Sequence, residues 1–132
     1  MDSTRERKLA KPEAGLAVAG EVLRDLIVSV LDDRKGEDIT TLDVRKLTDI
    51  TDYMIIVSGT SRRHVKSLVD YVIECAKAAG ASPLGVEGRE THDWVLLDLG
   101  DVVVHVMQAE ARAFYDLERL WEPLRADSDT RK

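Results

Sequence analysis

The sequence has few of the residues on which disulfide-rich, zinc-binding or fibrous proteins depend. Cys75 is the only cysteine among the 132 residues, so no disulfide can form within the chain and no zinc site rich in cysteine is expected. The chain has only 8 glycines and 3 prolines, which excludes a fibrous or low-complexity class. No apolar run approaches the roughly 20 residues of a membrane helix, and none follows the charged N-terminus as in a secretory signal. These absences predict a cytoplasmic protein without membrane contact.

An excess of basic charge is also missing, and this limits the expected partners. The 25 acidic and 19 basic residues give a net charge of −6, which repels phosphate backbones unless a local basic patch overrides it. Hydrophobic residues make up 44% and charged residues 33% of the chain, as is typical of one folded domain. The composition therefore favours a single domain that contacts protein rather than bare nucleic acid.

Apolar periodicity predicts a mixed order of helices and strands. Residues 23–31 and 65–76 repeat at helical spacing, and the second of these helices has Ser61 as its N-cap and Gly80 at its end. Strands are predicted at 39–44, at 53–58, on both sides of Gly100-Asp101 and, as an edge-strand option, at 84–86. This order predicts an α/β fold in which a mixed β-sheet is flanked by helices.

The two ends of the chain differ from its middle. Residues 1–13 are dense in charged side chains and are predicted to form a flexible arm, and residues 125–132 are predicted to form a disordered polar tail. Between them, residues 14–124 form the predicted single α/β domain. Its last helix is expected at 111–121, before Pro123. The expected buried stripe of this helix is Phe114, Leu117 and Trp121.

A predicted hairpin around Gly100-Asp101 carries the most informative pattern. With a two-residue turn, Leu99 pairs with Val102, and alternation then separates the two faces of the hairpin. One face is entirely aliphatic and belongs against the core. The other face mixes apolar with polar side chains, which a fully buried layer tolerates poorly. This mixed face consists of Trp94, Leu96, Asp98, Val103, His105 and Met107.

Two interpretations of the mixed face stay open on the residues alone. Trp and Met are enriched at the centres of protein interfaces, so the face can be a docking surface for a protein partner. Alternatively, the last helix covers the face, so that Trp94 belongs to the core and His105 is hydrogen-bonded to Asp98 or to the backbone. Alternation cannot decide between them, because it assigns side chains to a face but does not say what lies above that face.

Linked motifs across residues 20–122 resemble the ribosomal silencing factor (Iojap-related) family. The motifs are Leu42-Asp43-Val44, Thr51-Asp52-Tyr53-Met54-Ile55-Ile56, Gly59-Thr60-Ser61, Arg63-His64-Val65, Gly85-Val86-Glu87-Gly88, Asp93-Trp94, Asp98-Leu99-Gly100-Asp101, Val104-His105, Phe114-Tyr115-Asp116-Leu117-Glu118 and Leu120-Trp121. The resemblance implies an α/β domain distantly related to nucleotidyltransferases. It also implies binding to a ribosomal protein at the intersubunit face of the large subunit, which keeps the small subunit from joining when nutrients are short.

By this resemblance the mixed face is the docking surface, and the implied function is not enzymatic and needs no cofactor. The residues expected to bind the ribosomal protein are Trp94, Leu96, Asp98, His105 and Met107. An apolar face that is exposed when unoccupied can also pair with itself, so a weak homodimer is a further expectation.

The alternative is a divergent nucleotide-binding or nucleotidyltransferase-type enzyme. Such an enzyme needs paired carboxylates soon after a Gly-Ser turn, but basic residues follow Gly59-Thr60-Ser61. The three histidines are spread over different elements without ligand spacing, so no metal site is expected. The basic cluster Arg62, Arg63, His64 and Lys66 begins a helix and offers a minor RNA contact, against the more frequent interpretation as a solvated helix face.

Overall fold

Three helices are interspersed with five strands in the described part of the chain, which is residues 19–117 and Arg119 of the computed structural model. The elements are α1 (Gly20–Asp33), β1 (Glu37–Asp43), β2 (Tyr53–Gly59), α2 (Arg62–Ala78), β3 (Gly85–Glu87), β4 (Trp94–Asp98), β5 (Val102–Gln108) and α3 (Ala109–Tyr115). The predicted mixed α/β order is confirmed. The predicted arm at 1–13 and tail at 125–132 lie outside the described residues, and the domain boundaries stay predictions.

The strands form one mixed sheet in the order β1-β2-β5-β4-β3. β2 and β5 run parallel at its centre, and the other neighbouring strands pair antiparallel. β2 is buried at every position, as its unbroken apolar run predicts for a central strand. Parallel strands need a crossover connection, and α2 lies in the connection between β2 and β5.

The hairpin of β4 and β5 has the predicted turn and register. The Leu99 amide donates to the Val102 carbonyl across the turn at 2.9 Å. Gly100 has a φ of 88°, a left-handed conformation that glycine adopts without steric cost. The register confirms the predicted pairs, which are Trp94 with Met107, Leu96 with His105, and Asp98 with Val103.

The helices cover the two faces of the sheet unequally. α1 and α2 pack side by side on one face, where the aliphatic side chains of the hairpin join the larger core cluster. α3, only seven residues long, packs on β5 and β2 from the other face. In the described ranges, none of the helices has the length and apolar character needed to span a membrane. The aliphatic face is therefore closed by two long helices and the mixed face by one short one.

The last helix ends earlier than its apolar spacing predicts. Asp116 adopts a left-handed conformation with φ of 49°, and its amide closes the final turn on the Arg112 carbonyl at 2.9 Å. Leu117 is buried, as predicted, but Phe114 is 81% exposed, so its assignment to the core is wrong. Arg112 is the buried residue of α3, and Phe114, two residues further along, lies about 200° around the helix and faces away from the sheet. Trp121 lies outside the described residues.

Candidate docking surface

The predicted docking residues lie on the face of the sheet opposite α1 and α2. In one row, His105 of β5 lies between Ile56 of β2 and Leu96 of β4. In the next row, Met107 of β5 lies beside Trp94 of β4. The register therefore brings the predicted side chains together on one face, with two strands contributing them.

The predicted docking residues differ in burial between β4 and β5. Met107 is 0% and His105 4% exposed, so both lie beneath the surface. Trp94, Leu96 and Asp98 of β4 are half-buried. Within the described residues, α3 covers β5 and β2, whereas the three-residue strand β3 is the one element beyond β4. Met107 and His105 are therefore not exposed in the described structure, and contact of these five residues with a partner stays a prediction.

The indole of Trp94 connects the buried and the open parts of the face. Its Nε1–H donates to Nδ1 of His105 at 2.9 Å, and its ring packs against Tyr115 with a centroid separation of 4.9 Å. His105 therefore pairs with neither Asp98 nor the backbone through Nδ1. Asp98 instead accepts the Gly100 amide at 2.9 Å, which supports the hairpin turn.

The imidazole of His105 is held in its neutral form. Burial lowers the pKa of His105 to about 4, because a charged ring loses its hydration in the apolar layer. The indole N–H of Trp94 can only donate a hydrogen bond, so Nδ1 must carry a free lone pair. The proton of the neutral ring is consequently on Nε2.

Exposed aromatic side chains of α3 extend the open part of the face. Phe114 is 81% and Tyr115 55% exposed, and their rings meet edge to face with centroids 5.0 Å apart. The chain has only 1 Phe, 2 Trp and 3 Tyr, so three of these six side chains meet here. We call Trp94, Leu96, Phe114 and Tyr115 the aromatic patch. Sequence reasoning missed both α3 residues, although an aromatic pair at a helix end was a visible signal.

The backbone before Trp94 is fixed by two features. Gly88 has a φ of 94°, and a Cβ at this position would overlap with the Trp94 carbonyl oxygen, so only glycine fits without strain. The side-chain amide of Gln108 donates to Asp93 Oδ1 at 2.9 Å and to the His92 carbonyl at 3.3 Å. The patch is therefore presented from an ordered strand end, which reduces the entropy lost on binding.

A buried arginine fastens α3 to the sheet and was not anticipated from the sequence. Nη1 of Arg112 donates to Ser58 Oγ at 3.0 Å, and Nη2 donates to Thr40 Oγ1 at 3.0 Å. These bonds join α3 to β2 and β1, beside the patch. The available signal was Ser58 itself, a polar residue in an otherwise apolar central strand, because buried hydroxyls are normally hydrogen-bonded.

The turn considered for nucleotide binding is closed by its own side chains. Ser61 Oγ accepts the His64 amide at 3.1 Å and caps α2, as predicted. The Thr60 amide donates to His64 Nδ1 at 2.9 Å, and Nε2 of the same ring lies 2.9 Å from the Arg34 carbonyl. Among the residues that the structure describes, no group of three or more His, Cys, Asp and Glu side chains is placed to hold a metal ion.

The basic cluster at the start of α2 is engaged in local contacts. Arg62 Nε donates to the Thr91 carbonyl at 2.8 Å. Asp70 pairs with Lys66 at 3.1 Å and with Arg89 at 3.2 Å. Because this carboxylate offsets part of the positive charge, the surface supports RNA contact less than the sequence suggested, and that contact stays a prediction.

Comparison with known proteins gives consistent matches in sequence and fold. A family model described as ribosomal silencing factor during starvation matches residues 19–132. A ribosomal silencing factor of Haemophilus influenzae is 46% identical over 99 residues, which are 75% of this chain and 97% of that protein. A crystal structure of a Chromobacterium violaceum protein is 44% identical with a TM-score of 0.77, over 80% of this chain and 88% of that one. The Mus musculus protein named mitochondrial assembly of ribosomal large subunit protein 1 is 37% identical over 100 residues, which are 74% of this chain and 44% of that protein.

Proposed function

Because this chain belongs to the ribosomal silencing factor family, we propose that it represses translation by binding the large ribosomal subunit. It contacts a ribosomal protein at the intersubunit face, in the cytoplasm, and sterically blocks association with the small subunit under nutrient limitation. The name of the mouse relative, which refers to assembly of the ribosomal large subunit, supports this choice of subunit. The proposed mechanism is occlusion and includes no catalytic step or cofactor.

The aromatic patch is the observation that carries this proposal. Large aromatic side chains dominate the binding energy of many interfaces, because they bury much apolar area with few rotatable bonds. Phe114 and Tyr115 are more than half exposed, and the half-buried Trp94 lies against Tyr115. Asp98 and Glu87 lie on the neighbouring strands β4 and β3 and supply polar groups at the edge. An apolar centre with a polar rim is the usual arrangement of a protein interface.

Steric occlusion agrees with the position of the patch on the domain. The patch lies on the mixed face, and α1 and α2 lie on the opposite face of the sheet. When the patch contacts a ribosomal protein, the two long helices therefore face away from that contact. At an intersubunit position they would occupy space that the small subunit needs.

The proposal is tested by pelleting the chain with purified large subunits and comparing Trp94→Ala with Ile50→Ala. Removing a central interface aromatic commonly costs at least about 2 kcal/mol, or roughly thirtyfold in affinity. Ile50 is a suitable control, because it is 81% exposed and lies in the loop between β1 and β2, at the other end of the sheet. We expect Trp94→Ala to lose binding and Ile50→Ala to keep it.

A joining assay connects binding to repression. Parent protein, added to large subunits before small subunits, should reduce the amount of joined ribosomes, and Trp94→Ala should not. A parent chain that fails to pellet with large subunits would contradict the proposal. If Trp94→Ala still binds and high salt removes the binding, the result would point to the basic cluster and RNA instead.

Sedimentation of the free chain over a range of concentrations tests whether the patch also forms the expected weak homodimer.

A further inference from the structure

The hydrogen bond between Trp94 and His105 joins an apolar surface side chain to a buried polar one. His105 is 4% exposed, and its neighbours in the same row of the sheet are the apolar residues Ile56 and Leu96. The Trp94 indole crosses diagonally to this ring, with centroids 5.8 Å apart and planes inclined by 47°. A buried histidine in such a row contributes less to apolar packing than an aliphatic side chain would, so its polar contact needs an explanation.

The chemistry of the contact restricts how the indole can lie. Trp94 Nε1 is a donor only, so the bond exists only with an unprotonated Nδ1, 2.9 Å away. The burial of His105 keeps the ring neutral at pH 7. On its other side the indole is bounded by Tyr115 at a centroid distance of 4.9 Å. A rotation of the indole about its side-chain bonds would break the hydrogen bond and separate the two aromatic rings.

We propose that His105 is a positioning residue for docking, whose Nδ1 fixes the orientation of the Trp94 indole before the ribosomal protein binds. This role rests on the proposed docking function and gives the buried His105 a part in a contact that the half-buried Trp94 makes. An indole that is already held loses less rotational freedom on binding, which raises affinity without adding a contact. His105 itself touches no partner in this arrangement.

Three substitutions separate positioning from general packing. His105→Phe keeps a ring of similar size but removes the acceptor. His105→Asn is smaller but places an amide oxygen two bonds from Cβ, as Nδ1 is. Trp94→Phe removes the donor and keeps an aromatic ring in the patch. Each is measured by thermal melting, by pelleting with purified large subunits, and by the indole N–H signals in a 15N–1H spectrum. The signal that disappears in Trp94→Phe identifies Trp94.

The expected result is a loss of affinity equal to the cost of ordering one side chain on binding, without loss of the fold. His105→Phe should weaken large-subunit binding about five- to tenfold and shift the Trp94 indole signal, and His105→Asn should restore most of both. Trp94→Phe combined with His105→Phe should weaken binding no more than Trp94→Phe alone, since both remove the same bond.

Three outcomes would overturn the inference and are distinguishable from one another. If His105→Phe binds as the parent does while Trp94→Ala does not bind, docking through the patch stands but His105 has no positioning role. If the parent itself fails to bind large subunits, the proposed function falls and the docking role of His105 falls with it. If His105→Phe does not fold, Trp94→Phe and His105→Asn alone test whether His105 positions the indole. A folded His105→Asn that retains the indole signal but binds like Trp94→Phe contradicts positioning.

Discussion

The two faces of the sheet have the same strands but different cover. The face beneath α1 and α2 is aliphatic and closed, with Val95, Leu97 and Val104 at 0% exposure. Among the described residues the mixed face is covered by α3, a helix of seven residues, and the side chains of β4 on this face stay half-buried. A short helix cannot extend from β1 to β3, because each residue adds only about 1.5 Å of length. The unequal lengths of the covering helices therefore decide which strand keeps an accessible surface.

Because of this difference, we expect the closed face to contribute mainly to stability and the mixed face mainly to recognition. On the closed face every large side chain contributes to a continuous core, so a change there acts first on the free energy of unfolding. On the mixed face, Arg112 and Leu117 hold α3 down over β2 and β5, and the aromatic patch lies beside them. Substitutions in the patch are expected to act on binding and only weakly on the fold. The following predictions test this separation, beginning with the largest effect.

Two adjacent leucines of β4 give the most direct comparison of the faces. Leu97 is fully buried beneath the helices, and its neighbour Leu96 is half-buried on the mixed face. Leu97→Ala should lower the free energy of unfolding by about 2 to 5 kcal/mol, because the closed core cannot collapse around the cavity. Leu96→Ala should cost about 1 kcal/mol or less, since part of its surface already meets water. Urea unfolding of both variants measures the difference, and equal losses would mean that the mixed face is as closed as the other.

The pH dependence of stability tests the buried part of the mixed face. A solvent-exposed histidine has a pKa of 6.5, and burial lowers the pKa of His105 to about 4 in the folded chain. Below pH 6.5 the unfolded chain therefore binds a proton that the folded chain refuses, and folding loses stability as the pH falls from 6.5 through 4. Each pKa unit corresponds to about 1.4 kcal/mol, so the full loss is about 3 kcal/mol.

His105→Asn isolates this contribution from those of the carboxylates. The pKa of Asp101 is raised by burial and by the nearby Asp52 carboxylate, which gives its contribution the opposite sign. The pKa of Asp43 is lowered by Arg45, so the stabilisation it provides is lost at still lower pH. Both effects are common to parent and variant and cancel in the difference. If the free energies of unfolding of parent and His105→Asn change by the same amount between pH 6.5 and 4, His105 is not buried as the neutral ring.

Sequence patterns predicted the strands and the hairpin because those features depend on local chemistry. Alternation over two strands and a glycine in the turn determine the register of β4 and β5, and the structure has that register. The same reasoning failed for the last helix. Asp116 adopts the left-handed conformation that usually signals glycine, which a short polar side chain can do at modest cost. No glycine or proline marked the stop, so the helical stripe was extended too far.

For the candidate site, the sequence predicted which side chains share a face but not which of them are buried, and the reason is different. Alternation placed Trp94, His105 and Met107 on one face, but burial depends on which strand the final helix crosses. That crossing is determined by tertiary contacts such as those of Arg112 with Ser58 and Thr40, which join residues far apart in sequence. The Trp94–His105 hydrogen bond is likewise a diagonal contact that no spacing rule specifies. Patterns in a single sequence therefore assign these side chains to one face of the sheet, but they do not show which element packs against that face.

The smallest expected effect on stability concerns Phe114, with Leu117 as its matched control. Both were predicted to lie in one buried stripe, but Phe114 is 81% and Leu117 7% exposed. Phe114→Ala should change the free energy of unfolding by no more than about 0.5 kcal/mol, as is usual for exposed positions. Leu117→Ala should still cost about 2 kcal/mol or more, because it empties part of the cluster that holds α3. Melting curves compare the two, and large-subunit pelleting of Phe114→Ala adds the functional half of the test. A strong loss of stability in Phe114→Ala would place its ring in a core and remove it from the patch, whereas unchanged melting with weakened binding is the result that an exposed docking aromatic requires.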